Sequence, residues 1–299
     1  MAQQQDKLGW IGLGEMGVEM ASNLQKHLAQ SGASLTVWNR TAEKTTRLAD
    51  LGATVAPSIE ALFAASNIII TSLSNDAAVE AVYATLLTLA AARQDPVVFV
   101  ETSTIYPSLP TRLHAQLQAA APQHAFLQCP IFGRPPAAAA AQLVWVASGS
   151  SKAIEHLSPY FKSMSKAILD LHTEDVARAS AFKLVGNFFV VGTIELLAEG
   201  LTLGAKNGIE QGDVLKLIEL LFPSPVWLGY SKLLVAEDKP KAGGFPVTLG
   251  LKDVGHMQRL AEESGAQLPT AEVVKRNLET VKEKGHGEDD WTTLIKALQ

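Results

Sequence analysis

Between Leu8 and Gly17 the chain reads LGWIGLGEMG, a strand-forming run that ends at Gly12 and gives way to a helical pattern by Gly17. This is the most constraining stretch in the sequence, because a strand that turns tightly into a helix commits the chain to a βα unit. The first glycine permits the tight turn, and the second removes a side chain where a pyrophosphate could approach the backbone. The third lets helix and strand pack closely, while the helix N-terminus aims its free N–H groups at the anion. Gly12, Leu13, Gly14, Glu15, Met16 and Gly17 are therefore candidate dinucleotide-binding residues. The spacing also occurs in strand–helix turns that bind nothing, so the rest of the chain has to carry the assignment.

The first half supplies the expected context. Strand-like runs at Leu8–Leu13, Ser34–Trp38, Ile68–Ser72, Val97–Glu101, Phe126–Pro130 and Leu143–Ser148 take turns with amphipathic stretches, of which Gly17–Ser31 and Thr41–Leu51 are the clearest. Such alternation implies an α/β fold with a doubly wound parallel sheet covered on both faces. From Asp175 to about Asn207 the character changes to one long apolar helix stopped by Asn207-Gly208. Further helices follow, broken at FPSPVW and KPKAGGFP. The expected organisation is a dinucleotide-binding domain over 1–174 and an all-α second domain over 175–299, joined by the long helix. The alanine run Ala137–Ala141 reads as a solvated loop.

The second strand bears on which dinucleotide. An NAD site places a carboxylate about twenty residues past the glycines, on the ribose hydroxyls. Here the strand ends in WNRT, so Asn39, Arg40 and Thr41 offer donors where a carboxylate would stand, with Lys44 one turn on. Arg40 can stack on adenine and pair with a 2′-phosphate, which points to NADP(H). The loop Leu73-Ser74-Asn75 follows a buried strand at the carboxyl edge of the sheet, where a ribose would lie.

Lys183 and Asn187 stand four residues apart, on one face of the long helix. Phe182, Leu184, Val185, Phe188, Phe189 and Val190 surround them in sequence, and burying such a pair without a use is costly. A lysine there could donate a proton to a carbonyl oxygen as hydride reaches carbon, with Asn187 fixing the geometry. The alternative is a stem packed on the core with its head in water.

Composition narrows the remaining classes. The chain has 299 residues, is 47% hydrophobic and has a formal net charge of −5, with acids and bases mixed. Neither a nucleic-acid stripe nor a polybasic membrane anchor is expected. A single cysteine, Cys129, excludes an internal disulfide and a cysteine-based zinc site. The histidines lack ligand spacing, so no metal is expected. The start MAQQQDK is not a signal peptide, and no apolar run reads as long enough to cross a bilayer; a cytoplasmic protein is the expectation. Glu195 and Glu199 read as helix-surface or interface residues rather than a catalytic pair.

Taken together, GLGEMG, WNRT, ETSTIYP, CPIFG, AQLVWVASG, KLVGN and FPVTLGLKD, in this order, resemble the β-hydroxyacid dehydrogenase family over nearly the whole chain. The likeness is to its glyoxylate and succinic-semialdehyde reductase branch, and relatives include 3-hydroxyisobutyrate and 6-phosphogluconate dehydrogenases and imine reductases. The resemblance implies a Rossmann domain, a helical second domain, an active site in the cleft between them and a homodimer. It implies hydride transfer between NAD(P) and a small carbonyl compound, with Lys183 as general acid–base and Asn187 as its partner. Ser103 and Thr104 would lie near the nicotinamide and substrate, and Lys252 would reach the cofactor. One departure stands out. The family's substrate loop carries Ser-Gly after Pro-Val, whereas this chain has Phe132, Gly133 and Arg134, so an aromatic ring replaces a hydroxyl and Arg134 is the candidate carboxylate partner. Gln128 also replaces an acidic residue. The leading expectation is an NADPH-dependent carbonyl reductase. Imine reduction and a catalytically silent NADPH-binding protein are the alternatives.

Overall fold

Strand β1 (Leu8–Ile11) is buried along its whole length and continues through a tight turn into α1 (Glu15–Ala29). The computed structural model describes residues 5–236 and 244–299. After α1 come β2 (Thr36–Trp38), α2 (Thr46–Asp50), β3 (Thr54–Val55), α3 (Ile59–Ala65), β4 (Ile68–Thr71), α4 (Asp76–Ala92), β5 (Val98–Glu101), α5 (Ser108–Ala120) and β6 (Ala125–Gln128). The strands run in the order β3-β2-β1-β4-β5-β6, all parallel. Side chains divide between the two faces with period two. Ile68, Ile70, Val100 and Leu127 join the core on one face, and Ile69, Phe99 and Phe126 join the core on the other. A sheet apolar on both faces needs helices on both, which is the physical reason for the doubly wound Rossmann arrangement.

Beyond β6 the structure departs from the expected uniform sheet. β7 (Ile131–Phe132), α6 (Pro135–Ala139), β8 (Leu143–Gly149), α7 (Ser151–Lys162) and β9 (Ser165–Asp170) follow. β8 runs antiparallel to both β6 and β7, and β9 runs parallel to β8. β3, β7 and β9 did not show in the sequence. The first two have only two residues each, too few for a periodic signal, and β9 is largely exposed. The alanine run is not all loop: Ala137–Ala139 complete α6, which Pro135 opens, while Ala140 and Ala141 form the turn after it, and Asn23 of α1 donates to the carbonyl of Ala138 at 2.8 Å. The expected helix over Thr41–Leu51 is divided into a 3₁₀ turn, Ala42–Thr45, and α2.

The chain divides into two compact units, Met1–Lys183 and Leu184–Gln299, with α8 (Ala177–Lys206) running through the division. The start of α8 is fixed by Ser148 of β8. Its Oγ accepts from the Ala179 N–H at 3.3 Å and donates to the Val176 carbonyl at 3.1 Å. In the second unit α9 (Gln211–Leu221), α10 (Pro225–Val235), α11 (Val247–Ser264) and α12 (Pro269–Val281) follow, and a 3₁₀ segment, Trp291–Ala297, packs on α12. The break at FPSPVW falls between α9 and α10; Lys239–Gly243 of the break at KPKAGGFP lies outside the described residues.

α8 is long and apolar enough, by length and composition, to cross a bilayer, which corrects the expectation that no run has that reach. Its buried residues, among them Leu184, Val191, Ile194, Leu197 and Leu201, follow the i, i+3, i+4 pattern of a core helix. The helix is unusual in what it hides. Lys183, Asn187 and Glu195 lie on the buried side, whereas Phe182, Val185, Phe189, Leu196 and Leu203 are exposed. The expectation that Phe182, Val185 and Phe189 enclose the polar pair is therefore corrected. Glu195 is likewise not a surface residue: it accepts from Asn277 Nδ2 at 2.5 Å, and burial pushes its carboxyl above the usual range.

Candidate active site

The glycine loop is built by backbone contacts that leave no room for side chains. Gly12 has φ +98°, and a Cβ there would lie 2.2 Å from the Ser72 carbonyl oxygen; one on Gly17 would lie 2.2 Å from the carbonyl oxygen of Gly12. Gly14 is different, for a Cβ added to it would meet nothing within 4 Å. It is the N-cap of α1, extended and without a side-chain cap bond, so no capping side chain accepts from the first-turn N–H groups of Glu15, Met16 and Gly17. Two glycines are thus required by the fold itself, whereas nothing in the fold fills the space beside the third. Such a cradle fits a dinucleotide pyrophosphate.

Asn39 braces this loop. The Leu13 N–H donates to Asn39 Oδ1 at 2.8 Å, and Asn39 Nδ2 donates to the Thr41 carbonyl at 2.8 Å. Its amide is spent on positioning the backbone. Arg40, Thr41 and Lys44 are exposed beyond the end of β2, and Arg40 has no ion pair among the described residues.

The loops after β4 and β5 are tied together at the same edge of the sheet. The Leu73 N–H donates to Ser103 Oγ at 2.7 Å, and Gln128 Nε2 donates to the Ser103 carbonyl at 3.2 Å. Asn75 caps α4 by accepting from the Ala78 N–H, which occupies the side chain of one expected cofactor residue; Ser74 beside it is exposed. Thr104 is half-buried. Beneath this loop lies Glu101, which sequence reasoning missed. It is fully buried, accepting from the Ser103 N–H at 2.6 Å and from Thr71 Oγ1 at 2.6 Å. Burial pushes its carboxyl up to about 7, against the opposing pull of the hydrogen bonds from Ser103 and Thr71. The sequence signal was present, an acid closing a buried strand directly before Thr-Ser-Thr, but a glutamate at a strand end ordinarily reads as solvated.

Lys183, in the second turn of α8, is 8% exposed, and its ammonium lies 4.2 Å from the centroid of the Phe132 ring. β7 pairs Phe132 with Val144 of β8, and the Phe182 ring meets Phe132 edge-on at 6.4 Å. Phe132 therefore faces the lysine. Gly133 is exposed, and Arg134, the N-cap of α6, is half-buried and engaged within the fold. One turn past Lys183, Asn187 is 6% exposed and donates through Nδ2 to Asp253 Oδ2 at 2.7 Å. The other oxygen of Asp253, on α11, takes the Lys252 ammonium at 3.0 Å. Asp253 is wholly buried and was also missed. It joins two residues that were expected in the site, Asn187 and Lys252, into one network.

Within the first unit the structure thus brings the glycine loop against Asn39, the Leu73 and Ser103 loops against each other, and Phe132 against Lys183. Within the second it gathers Asn187, Asp253 and Lys252.

A family model described as the NAD binding domain of 6-phosphogluconate dehydrogenase matches residues 7–173. A second, described as the NAD-binding of NADP-dependent 3-hydroxyisobutyrate dehydrogenase, matches residues 177–298. The chain is 35% identical to the uncharacterized oxidoreductase YfjR of Bacillus subtilis (strain 168) over 98% of its own length and 100% of that protein's. It is 29% identical to the NADH-dependent oxidoreductase ucdB of Aspergillus ustus, covering 95% of this chain and 96% of the other. The crystal structure of 3-hydroxyisobutyrate dehydrogenase (ygbJ) from Salmonella typhimurium superposes with a TM-score of 0.84 at 21% identity, covering 98% of this chain and 99% of that one, and so shares the fold. With its Rossmann unit, its helical second unit and its uncapped glycine loop, the chain belongs to the β-hydroxyacid dehydrogenase family and is an NAD(P)-dependent oxidoreductase.

Proposed function

We propose that this protein reduces a small carbonyl compound (an aldehyde, semialdehyde or keto acid) with NADPH, and oxidises the matching hydroxy compound in reverse, with Lys183 as general acid–base. The observation that carries the reading is the buried ammonium of Lys183, seated on the same unit as an uncapped glycine loop. When bound, NADPH supplies the hydride. The chain's own residues do the rest. First-turn N–H groups of α1 hold the pyrophosphate, and Arg40 with Lys44 pairs the 2′-phosphate. Lys183 Nζ passes a proton to the carbonyl oxygen in reduction and takes it from the hydroxyl in oxidation. Asn187, held by Asp253, presents its amide one helical turn away and orients the reacting oxygen. Ser103 and Thr104 bound the reacting region from the loop after β5.

NADPH in place of NADH is supported by the missing carboxylate after β2 and the exposed Arg40 in its stead. A homodimer is supported by the stripe of exposed Phe189, Leu196 and Leu203, seven residues apart along α8, together with exposed Leu217, Leu220 and Leu221 on α9. Imine reduction is the second reading, favoured by the aromatic ring at position 132, and cyclic imines offered beside aldehydes in an NADPH-oxidation assay separate the two.

The test is Lys183→Ala with NADPH binding followed in parallel. The expected result is a fall in kcat of roughly 10²–10⁴-fold with the NADPH Kd nearly unchanged. Wild-type turnover in the variant would refute the assignment, and tight NADPH binding by the wild type with no turnover over a broad carbonyl and imine panel would leave a binding protein.

A further inference from the structure

The Phe132 ring lies over a buried ammonium. Its face is turned to Lys183 Nζ at 4.2 Å, and the edge-on Phe182 ring, 70° to it, braces it. Position 132 is held from both sides of the chain. Phe132 itself pairs with Val144 of β8, and α6 starts three residues later, so the backbone that carries the ring is fixed. Phe132 is only partly buried although Lys183 is nearly fully so. The ring thus forms an apolar wall between the ammonium and part of what can reach it.

Two consequences follow from elementary electrostatics. The negative face of an aromatic ring attracts a cation and repels an anion, so a carboxylate cannot take the place that the ring holds beside Lys183. A carboxylate that did reach Lys183 would bind the ammonium as an ion pair and draw it away from a carbonyl oxygen. Resting on the reading of Lys183 as proton donor, we infer that Phe132 is a specificity-determining residue. It selects uncharged carbonyl compounds with an apolar alkyl or aryl substituent, which packs on the Phe132–Phe182 pair, over oxo acids of the same length.

The experiment compares matched substrates in the full-length protein. Linear aldehydes of two to eight carbons are assayed beside the same chains carrying a terminal carboxylate, butanal against 4-oxobutanoate being the central pair, by NADPH oxidation. Wild type is expected to favour the uncharged member by at least about tenfold in kcat/KM. Phe132→Ser should lower that ratio by about tenfold, mainly through KM, while Phe132→Tyr, which keeps the ring, should preserve it. Phe132→Leu keeps bulk without the ring and guards against a folding defect in the serine variant, NADPH affinity reporting an intact first unit in each. A ratio unchanged across the three variants, or a wild type that prefers the carboxylates, overturns the inference and leaves the Lys183 reading standing. Absence of NADPH-dependent reduction of any panel member, with Lys183→Ala indistinguishable from wild type, overturns both.

Discussion

Replacing Glu101 by glutamine should flatten the pH dependence of this protein's stability, and the structure sets the size of the effect. Glu101 is wholly buried, and burial raises its carboxyl from 4.5 to about 7. An acid raised on folding is bound to its proton in the native state while the unfolded chain has released it, so between these two values the native state holds more protons. Stability contributed by this group is therefore full below about pH 4.5 and is lost as pH rises through about 7. Integrating the proton difference from pH 5 to pH 8 gives a loss of about 2.5 kcal/mol in the wild type. Glutamine stays neutral over this range. Its Oε1 can still accept from the Ser103 N–H, and its Nε2 can donate to Thr71 Oγ1, whose own proton can turn to the Val100 carbonyl, 3.3 Å away. Urea unfolding of both proteins at pH 5 and pH 8 measures the difference, since every other titrating group cancels. The variant should match the wild type within about 1 kcal/mol at pH 5 and exceed it by about 2 kcal/mol at pH 8. Parallel profiles would show that Glu101 is ionised in the native state throughout, and the account of the loop above it would fail.

Further outcomes follow from the same structure. Gly17→Ala places a Cβ 2.2 Å from the Gly12 carbonyl and should lower the melting temperature of the free protein by several degrees, whereas Gly14→Ala, which meets nothing within 4 Å, should leave it unchanged and weaken NADPH binding at least tenfold in calorimetry. Arg40→Glu should raise the NADPH Kd by roughly 10–100-fold, the loss of one charge-assisted phosphate contact and the gain of a repulsion, with NADH affinity nearly untouched by fluorescence titration. Leu196→Glu combined with Leu203→Glu, two exposed positions on α8, should shift the elution volume in size-exclusion chromatography from dimer to monomer without altering the circular dichroism.

Local rules made much of this molecule readable. The turn from β1 into α1 demands glycine at 12 by its positive φ and at 17 by contact with the Gly12 carbonyl, constraints that act within a few residues, and the buried parallel strands declare themselves as apolar runs. The spacing of Lys183 and Asn187 places them on one helix face by geometry alone. Edge strands as short as β3 and β7 carry no period, and the antiparallel course of β8 depends on where the chain returns after α6, so neither could be read in advance. The site divides in the same way. Residue types that suit a phosphate, a ribose or a carbonyl were visible as side chains at loop positions. Which of them are spent on the protein itself was not. Asn39 and Asn75 turn their amides to backbone, Glu101 and Asp253 emerge as buried carboxyls that hold neighbouring loops and side chains, and α8 hides Lys183 and Glu195 while exposing Phe182 and Phe189. Those outcomes are set by distances between segments far apart in the chain, where burial makes an unpaired polar group costly and so forces each one to find a partner. Chemistry of the parts is written along the chain; their pairing is settled by packing.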